Sequence, residues 1–486
     1  MFRTSLLAVA LGGALLVTGC ASGGGLHPAA GPADPAAYGV TRSLAGAPLS
    51  DAAFPQRDWW RVLGDPQLDA LIDEALRGTP SLAAADARVR KAQAQAGLAD
   101  AAREPTLGGS AQYAFAQLPE GLAGKEIGGK LMQNAVLMVK FDWPLDVWGG
   151  KRAEYEAALD QAHARQIEAQ AARLTLAANV ARSYVALAQA FETQGIARRE
   201  QARSEHLLQL AQQRVDAGLD NRIGLRNTEG LIATAKAQAS AAQQQIDALR
   251  NTLAALLGQG PDRGLAIERP QLLKASAPAL PSTLPSELLG HRPDVVAARW
   301  RVEAAAQTIK SAKASFKPGI DLSGLAGLAS SGFSDLFRSD ALLGFGGPAI
   351  SLPIFDGGRL RNNLAARDAD YDLAVADYDA TAVQALRDVV DALQAIHALD
   401  AQGASLQQAQ TAGKAALELA QARYKAGLGT QLDVLSAQKP LLQIEQQLAG
   451  LRAQRYAAGI NLNLALGGGI ATDAPTPSAS PDAAAN

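Results

Sequence analysis

"RYKAGLGTQLDVLSAQ", residues 423–438, interrupts a helix-forming pattern that has run for more than sixty residues. Gly427 and Gly429 fall where good helix formers had held the register. The interruption has a twin: "RVDAGLDNRIGLRNTE", residues 214–229, carries Arg, Ala, Gly and Leu at the same places. Arg214 and Arg423, Gly218 and Gly427, and Leu219 and Leu428 are each 209 residues apart, as are Leu257-Gly258 and Leu466-Gly467. Upstream, "PSLAAADARVRKA" from Pro80 aligns with "PDVVAARWRVEAA" from Pro293 at an offset of 213, which also relates Pro105 to Pro318. Between these blocks, "WPLDVWGGKR" from Trp143 matches "LPIFDGGRL" from Leu352 with one residue deleted. A unit of about 200 residues is far longer than a solenoid repeat. The chain reads as a duplicated half-protein. Its first repeat is expected at 66–258 and its second at 285–467, joined by a linker at 259–284 and followed by a low-complexity tail at 468–486.

Each repeat has the same order of elements. Residues near 66–104 and 285–316 are Ala-rich, helical in pattern, and end at a proline. Alternating stretches follow. "AVLMVKFDW" sets Ala135, Leu137, Val139, Phe141 and Trp143 on one face, with Val136, Met138, Lys140 and Asp142 on the other. "SAQYAFAQ" separates Tyr113 and Phe115 from Ser110, Gln112, Ala114 and Ala116. Ile320, Leu322 and Leu328 alternate with Asp321 and Ser323, and the partner stretch at 341–352 is Gly-rich and ambiguous. Such period-two alternation suits a membrane barrel strand and equally a half-buried strand of a soluble sheet.

Pro144 and Pro353 are expected to end ladder pairing. Gly149-Gly150 and Gly357-Gly358 then let the backbone swing from strand into helix. From Lys151 to Asp216 there is no proline, which implies roughly 100 Å of helix. Val180, Tyr184, Leu187 and Phe191, and in the second copy Leu386, Val389, Leu393 and Ile396, follow coiled-coil steps of three and four. Gly218 and Gly427 turn each long helix back, and returning helices are expected near 222–257 and 431–466. Ala-Gly-Leu is therefore the tip of a helical hairpin, and the chain has two tips.

The totals exclude several classes of function. The 45 basic and 47 acidic residues give a net charge of −2, which does not favour nucleic acid as a partner. Five scattered histidines, at 27, 163, 206, 291 and 397, have no zinc spacing, and His163 and His206 read as solvated helix surface. "GKEIGGKL", residues 124–131, has phosphate-loop spacing as far as Lys130. It places Leu131 where Ser or Thr should hold magnesium, and it lies between strands, so it reads as a loop. No catalytic arrangement, metal or cofactor is expected.

At the N-terminus, Arg3, an apolar run from Leu6 to Val17 and then Val17-Thr18-Gly19-Cys20 have the layout of a secretory signal. The last four residues resemble the bacterial lipobox. That resemblance implies removal of 1–19, lipid on Cys20, and a lipidated tether over 20–65. Ser22, with no Asp beside the cysteine, points to the outer membrane.

Taken in order, "DWWRVLGDPQLDALIDEAL" from Asp58, "GHRPDVVAARWRVEAA" from Gly290, "LPIFDGGRL" and the two tip motifs resemble the TolC/OprM-like outer membrane factor family, in its lipoprotein branch. The resemblance implies a mainly helical fold with a membrane β-barrel. Three chains giving four strands each would close a twelve-stranded barrel over a periplasmic tunnel of coiled-coil hairpins. It implies a passive exit duct in a tripartite efflux system, with an inner-membrane pump, of the resistance-nodulation-division type, and a periplasmic adaptor. Ala217, Gly218, Leu219, Ala426, Gly427 and Leu428 become adaptor-docking positions. Asp433 and Tyr424 become gate residues; Ser436, Gly224 and Asn227 depart from the family's acidic pattern. A duct for protein or peptide secretion, and a coiled-coil surface stalk, are the rival readings.

Overall fold

The computed structural model describes residues 25–29, 31–33, 38–39, 49–50, 55–127, 129–272, 280–281 and 290–469. A buried 3-10 turn, Trp59–Leu63, leads into helices α1 (Pro66–Arg77) and α2 (Pro80–Ala101). The helical pattern expected near 66–104 is met by two helices. Gly78 ends the first piece and the Thr79 side chain caps the second. Strands β1 (Thr106–Gln117) and β2 (Leu131–Leu145) follow, joined through the short α3 (Glu120–Ile127). The phosphate-loop spacing thus falls in a strand-to-strand connection.

Helix α4 (Gly150–Asp216) and its return α5 (Arg222–Leu256) form the first hairpin, followed by α6 (Pro261–Leu265). The second repeat supplies α7 (Pro293–Ala314), β3 (Gly319–Ser330), β4 (Leu342–Ser351), α8 (Arg359–Lys425) and α9 (Gln431–Ala465). Both long helices have 67 residues and both returns have 35, so the duplication holds to the residue. At 1.5 Å per residue each long helix spans roughly 100 Å. Among the described residues, no helix is long and apolar enough to cross a membrane.

The apolar stripe of each long helix is buried by lateral packing. Val180, Tyr184 and Leu187 of α4 sit with Leu68, Leu71 and Ile72 of α1, Ile246 and Leu253 of α5, and both Trp59 and Trp60. Residues 59–65, counted with the tether in the sequence, are therefore part of the helical body. Asp65 accepts hydrogen bonds from the Tyr184 hydroxyl at 2.7 Å and the Gln271 amide at 2.6 Å, tying the segment after α6 to α4. In the second repeat α7 packs on α8 through Val302, Ile309, Leu364, Tyr371 and Tyr378, with Leu26 and Tyr38 laid against them. His163, expected at the surface, is half-buried, with its ring 4.5 Å from Trp300 of α7; His206 is exposed.

The four strands form one antiparallel sheet in the order β1-β2-β3-β4. Opposed residues share a face. One face collects Leu107, Tyr113, Phe115, Leu137, Val139, Phe141, Leu322, Leu328, Leu342 and Ile350. The other carries Ser110, Gln112, Asn134, Lys140, Asp142, Asp321 and Ser323. The ambiguous stretch at 341–352 is thus the edge strand β4. Pro144 does not end pairing as expected: it remains opposite Asp321, beyond the last β1 pair at Asp142, where one side of β2 is unpaired and a missing N–H is tolerated. Pro353 does lie past the end of β4.

Candidate functional site

The two tips are built alike. Each long helix ends in a glycine with positive φ, +70° at Gly218 and +75° at Gly427. The amide of Leu219 donates to Arg214 O at 2.8 Å and that of Leu428 to Arg423 O at 2.9 Å. Gly218 donates to Val215 O and Gly427 to Tyr424 O, the five-to-two bonds that, with the six-to-one bonds of the leucine amides, make each tip a Schellman turn. A Cβ on either glycine would meet nothing within 4 Å, so backbone conformation, not space, requires glycine. Ala217 and Ala426 cap the helices in right-handed geometry. Leu219 is 66% exposed and Leu428 72%, which leaves both apolar side chains open to another surface.

The returning helices start differently. Asn221 caps α5, its side chain accepting from the Ile223 amide at 3.0 Å. Thr430 and Asp433 form a reciprocal capping box on α9: Asp433 Oδ2 accepts from the Thr430 amide at 2.7 Å, and Thr430 Oγ1 from the Asp433 amide at 3.3 Å. The Thr430 backbone amide and hydroxyl hold the Asp433 carboxyl below its ordinary range. This carboxylate is charged and exposed, yet it is already engaged in starting a helix.

Between the tips lies a clasp. Tyr424 is fully buried and its hydroxyl donates to Asp220 Oδ2 at 3.0 Å. Arg214 donates from Nε to the same oxygen at 3.3 Å and from Nη1 to Tyr424 O at 3.3 Å, with its guanidinium 4.7 Å above the tyrosine ring. Burial first, then the hydrogen bond to Asp220, pushes the Tyr424 hydroxyl up to about 12. A second tie lies one turn along, where Gln431 Nε2 donates to Thr228 Oγ1 at 2.7 Å. The Gln431 side chain lies so close over Gly224 that a Cβ there would collide with it. That accounts for a glycine where this chain departs from the family's acidic pattern.

Further from the tips, buried Gln438 of α9 donates to Glu200 and Ser204 of α4, and Glu200 pairs with Arg203 at 2.9 Å. Neither Asp220 and Arg214 as partners of Tyr424, nor this polar layer, was expected from the sequence.

At the other end of the long helices, Gly149 (φ +72°), Gly357 (φ +65°) and Gly358 (φ +87°) take left-handed geometry. Gly150 is needed for space: a Cβ would stand 2.8 Å from Ala314 Cβ. An aspartate secures each bend. Asp146 accepts from the Lys151 and Arg152 amides at 3.0 and 2.6 Å, and Asp356 from Gly358 and Leu360 at 3.0 and 2.8 Å. Those amides hold the Asp356 carboxyl below its ordinary range. Neither aspartate was read from the sequence, where an Asp shortly before Gly-Gly is the signal that marks both caps. Cys20 lies outside the described residues, and no cluster of metal-ligating side chains occurs among those that are described.

A family model described as outer membrane efflux protein matches residues 71–259 and 284–468. The outer membrane protein OprJ of Pseudomonas aeruginosa is 34% identical over 436 residues, covering 88% of this chain and 89% of that protein. The fusaric acid resistance protein FusA of Burkholderia cepacia is 37% identical over 371 residues, 76% of this chain and 70% of its own. The solved outer membrane protein VceC of Vibrio cholerae superposes with a TM-score of 0.80 at 36% identity, over 86% of this chain and 100% of that one. Two repeats, two hairpins and a half-apolar four-stranded sheet match that family throughout. The chain belongs to the outer membrane efflux protein family, whose members are channels rather than enzymes.

Proposed function

We propose that this chain is the exit duct of a tripartite efflux system. Three copies join β4 of one to β1 of the next, closing the exposed strand edges in one barrel, because open edges are not viable in lipid. The apolar face of the sheet, with Val139 and Leu137, meets lipid, and the face with Lys140 lines the lumen. The hairpins extend into the periplasm, where Leu219 and Leu428, flanked by Ala217-Gly218 and Ala426-Gly427, receive an adaptor joined to an inner-membrane pump of the resistance-nodulation-division type. Cys20 carries a lipid anchor.

One observation carries the reading: the exposed leucines on paired Schellman turns stand a full 67-residue helix away from the half-apolar sheet. Small residues at a tip admit a second hairpin closely, and an exposed leucine gives it an anchor. The Arg214–Asp220–Tyr424 clasp and the Asp433 carboxylates hold the periplasmic end narrow and acidic, favouring cations.

Photo-crosslinking from positions 219 and 428 in intact cells, together with the mass of the detergent-purified particle, tests it. Three copies per particle and crosslinks to one periplasmic hairpin protein are expected. A monomeric particle with no crosslink from either tip would contradict the reading.

A further inference from the structure

The lumenal face of the sheet is divided. Its β1 side is polar, with Ser110 and Gln112, whereas β3 and β4 place Leu325 opposite Phe345 and Gly327 opposite Leu343. Val136 and Met138 of β2 lie beside them on the same face, opposite Ala329 and Gly327. Phe345 is 68% exposed and Leu343 40%. A water-filled barrel interior is ordinarily polar, so an apolar patch of five side chains there calls for an occupant.

The charges at the foot of the patch define that occupant. Lys140, directly opposite Leu325 in the ladder, stands 3.9 Å from Asp142, so that pair carries no net charge. Asp321 makes no ion pair among the described residues and lies on the same face, four residues before Leu325 and about 13 Å from it along β3. Each protomer thus offers one unbalanced carboxylate below an apolar surface. Resting on the duct reading above, we propose that the exit barrel carries a binding patch for amphipathic organic cations. The apolar body lies on Val136, Met138, Leu325, Leu343 and Phe345, and the charge is directed to Asp321. In a trimer the patch recurs three times, separated by the polar β1 sectors.

Ion current through the purified full-length protein in planar bilayers tests this, with three probes added in turn: tetraphenylphosphonium, tetramethylammonium and tetraphenylborate. Tetraphenylphosphonium should reduce the current at concentrations about tenfold lower than the small cation, because only it has apolar surface to bury. Combined Leu343→Ser and Phe345→Ser should remove that advantage, and Asp321→Asn should weaken it roughly two- to threefold. Met138→Ser gives a milder loss, and can replace the double variant if that one does not assemble. Equal block by tetraphenylphosphonium in parent and serine variants, or equally strong block by tetraphenylborate, would overturn the patch while leaving a conducting duct. A parent that forms no pore would remove the duct reading itself.

Discussion

The two hairpin tips share a backbone and differ in what they hold. Both end in Ala-Gly-Leu with the same hydrogen bonds and the same positive φ, and both expose their leucine. Off the turn the symmetry is lost. The first tip supplies the charged pair Arg214 and Asp220, and the second supplies the buried Tyr424. One return starts from a single Asn221 cap, the other from the Thr430–Asp433 box. After duplication, geometry that the backbone requires was kept. Of the side chains that meet across the pair, Arg214 has a like residue in Arg423, whereas Asp220 stands where the other repeat has Gly429 and Tyr424 where it has Val215. In the proposed duct, docking draws on what the tips share and closure on what differs between them.

The largest effect should come from breaking those differences. Asp220→Ala leaves the Tyr424 hydroxyl buried without its acceptor and Arg214 without its carboxylate, a loss of about 1–3 kcal/mol at the tips. Protease cutting should rise on both hairpins, whereas Asp216→Ala, an exposed neighbour that accepts from Gln212, should leave cutting unchanged. Equal cutting in the two variants would remove the clasp.

The shared part should respond equally in both copies. Gly218→Ala and Gly427→Ala each place a Cβ in left-handed geometry, costing about 1 kcal/mol in thermal or denaturant unfolding. Neither meets a steric obstacle within the chain. A several-fold difference between the two would show that one turn is held by contacts that the other lacks.

Asp433 separates charge from capping. Asp433→Asn keeps an acceptor for the Thr430 amide and removes the charge; Asp433→Ala removes both. Both should weaken cation preference of the current, while only the alanine variant should speed amide exchange in the first turn of α9. Identical exchange in the two variants would show that the box does not hold that turn.

The smallest response is to pH. Tyr424 is raised from 10 to about 12, so its protonated form is favoured in the folded chain. Its contribution is complete below pH 10 and is lost as pH rises through about 12. Tip protection should therefore show no step from Tyr424 between pH 5 and 9, and Tyr424→Phe should abolish any step above pH 10.

Much of this was legible in the sequence because it is periodic or local. The offset of 209 residues located both tips, and the proline-free run from Lys151 to Asp216 gave the length of α4. The clasp was hidden for a physical reason: Asp220 and Tyr424 are 204 residues apart and meet only when two helix ends are packed together. Asp433 was read as a gate carboxylate, and its capping role went unread although Thr430 three residues earlier is itself a capping-box signature. Pro144 looked like a strand stop because a proline's tolerance depends on which edge is paired, a property of the sheet.

We propose that unlike residues of the two like tips hold the periplasmic end of the channel closed. Single-channel conductance of Asp220→Ala against the parent, both as purified assemblies of the same mass, tests it most directly. The variant should show a several-fold higher and less voltage-dependent conductance. Indistinguishable conductance from an intact assembly would contradict it.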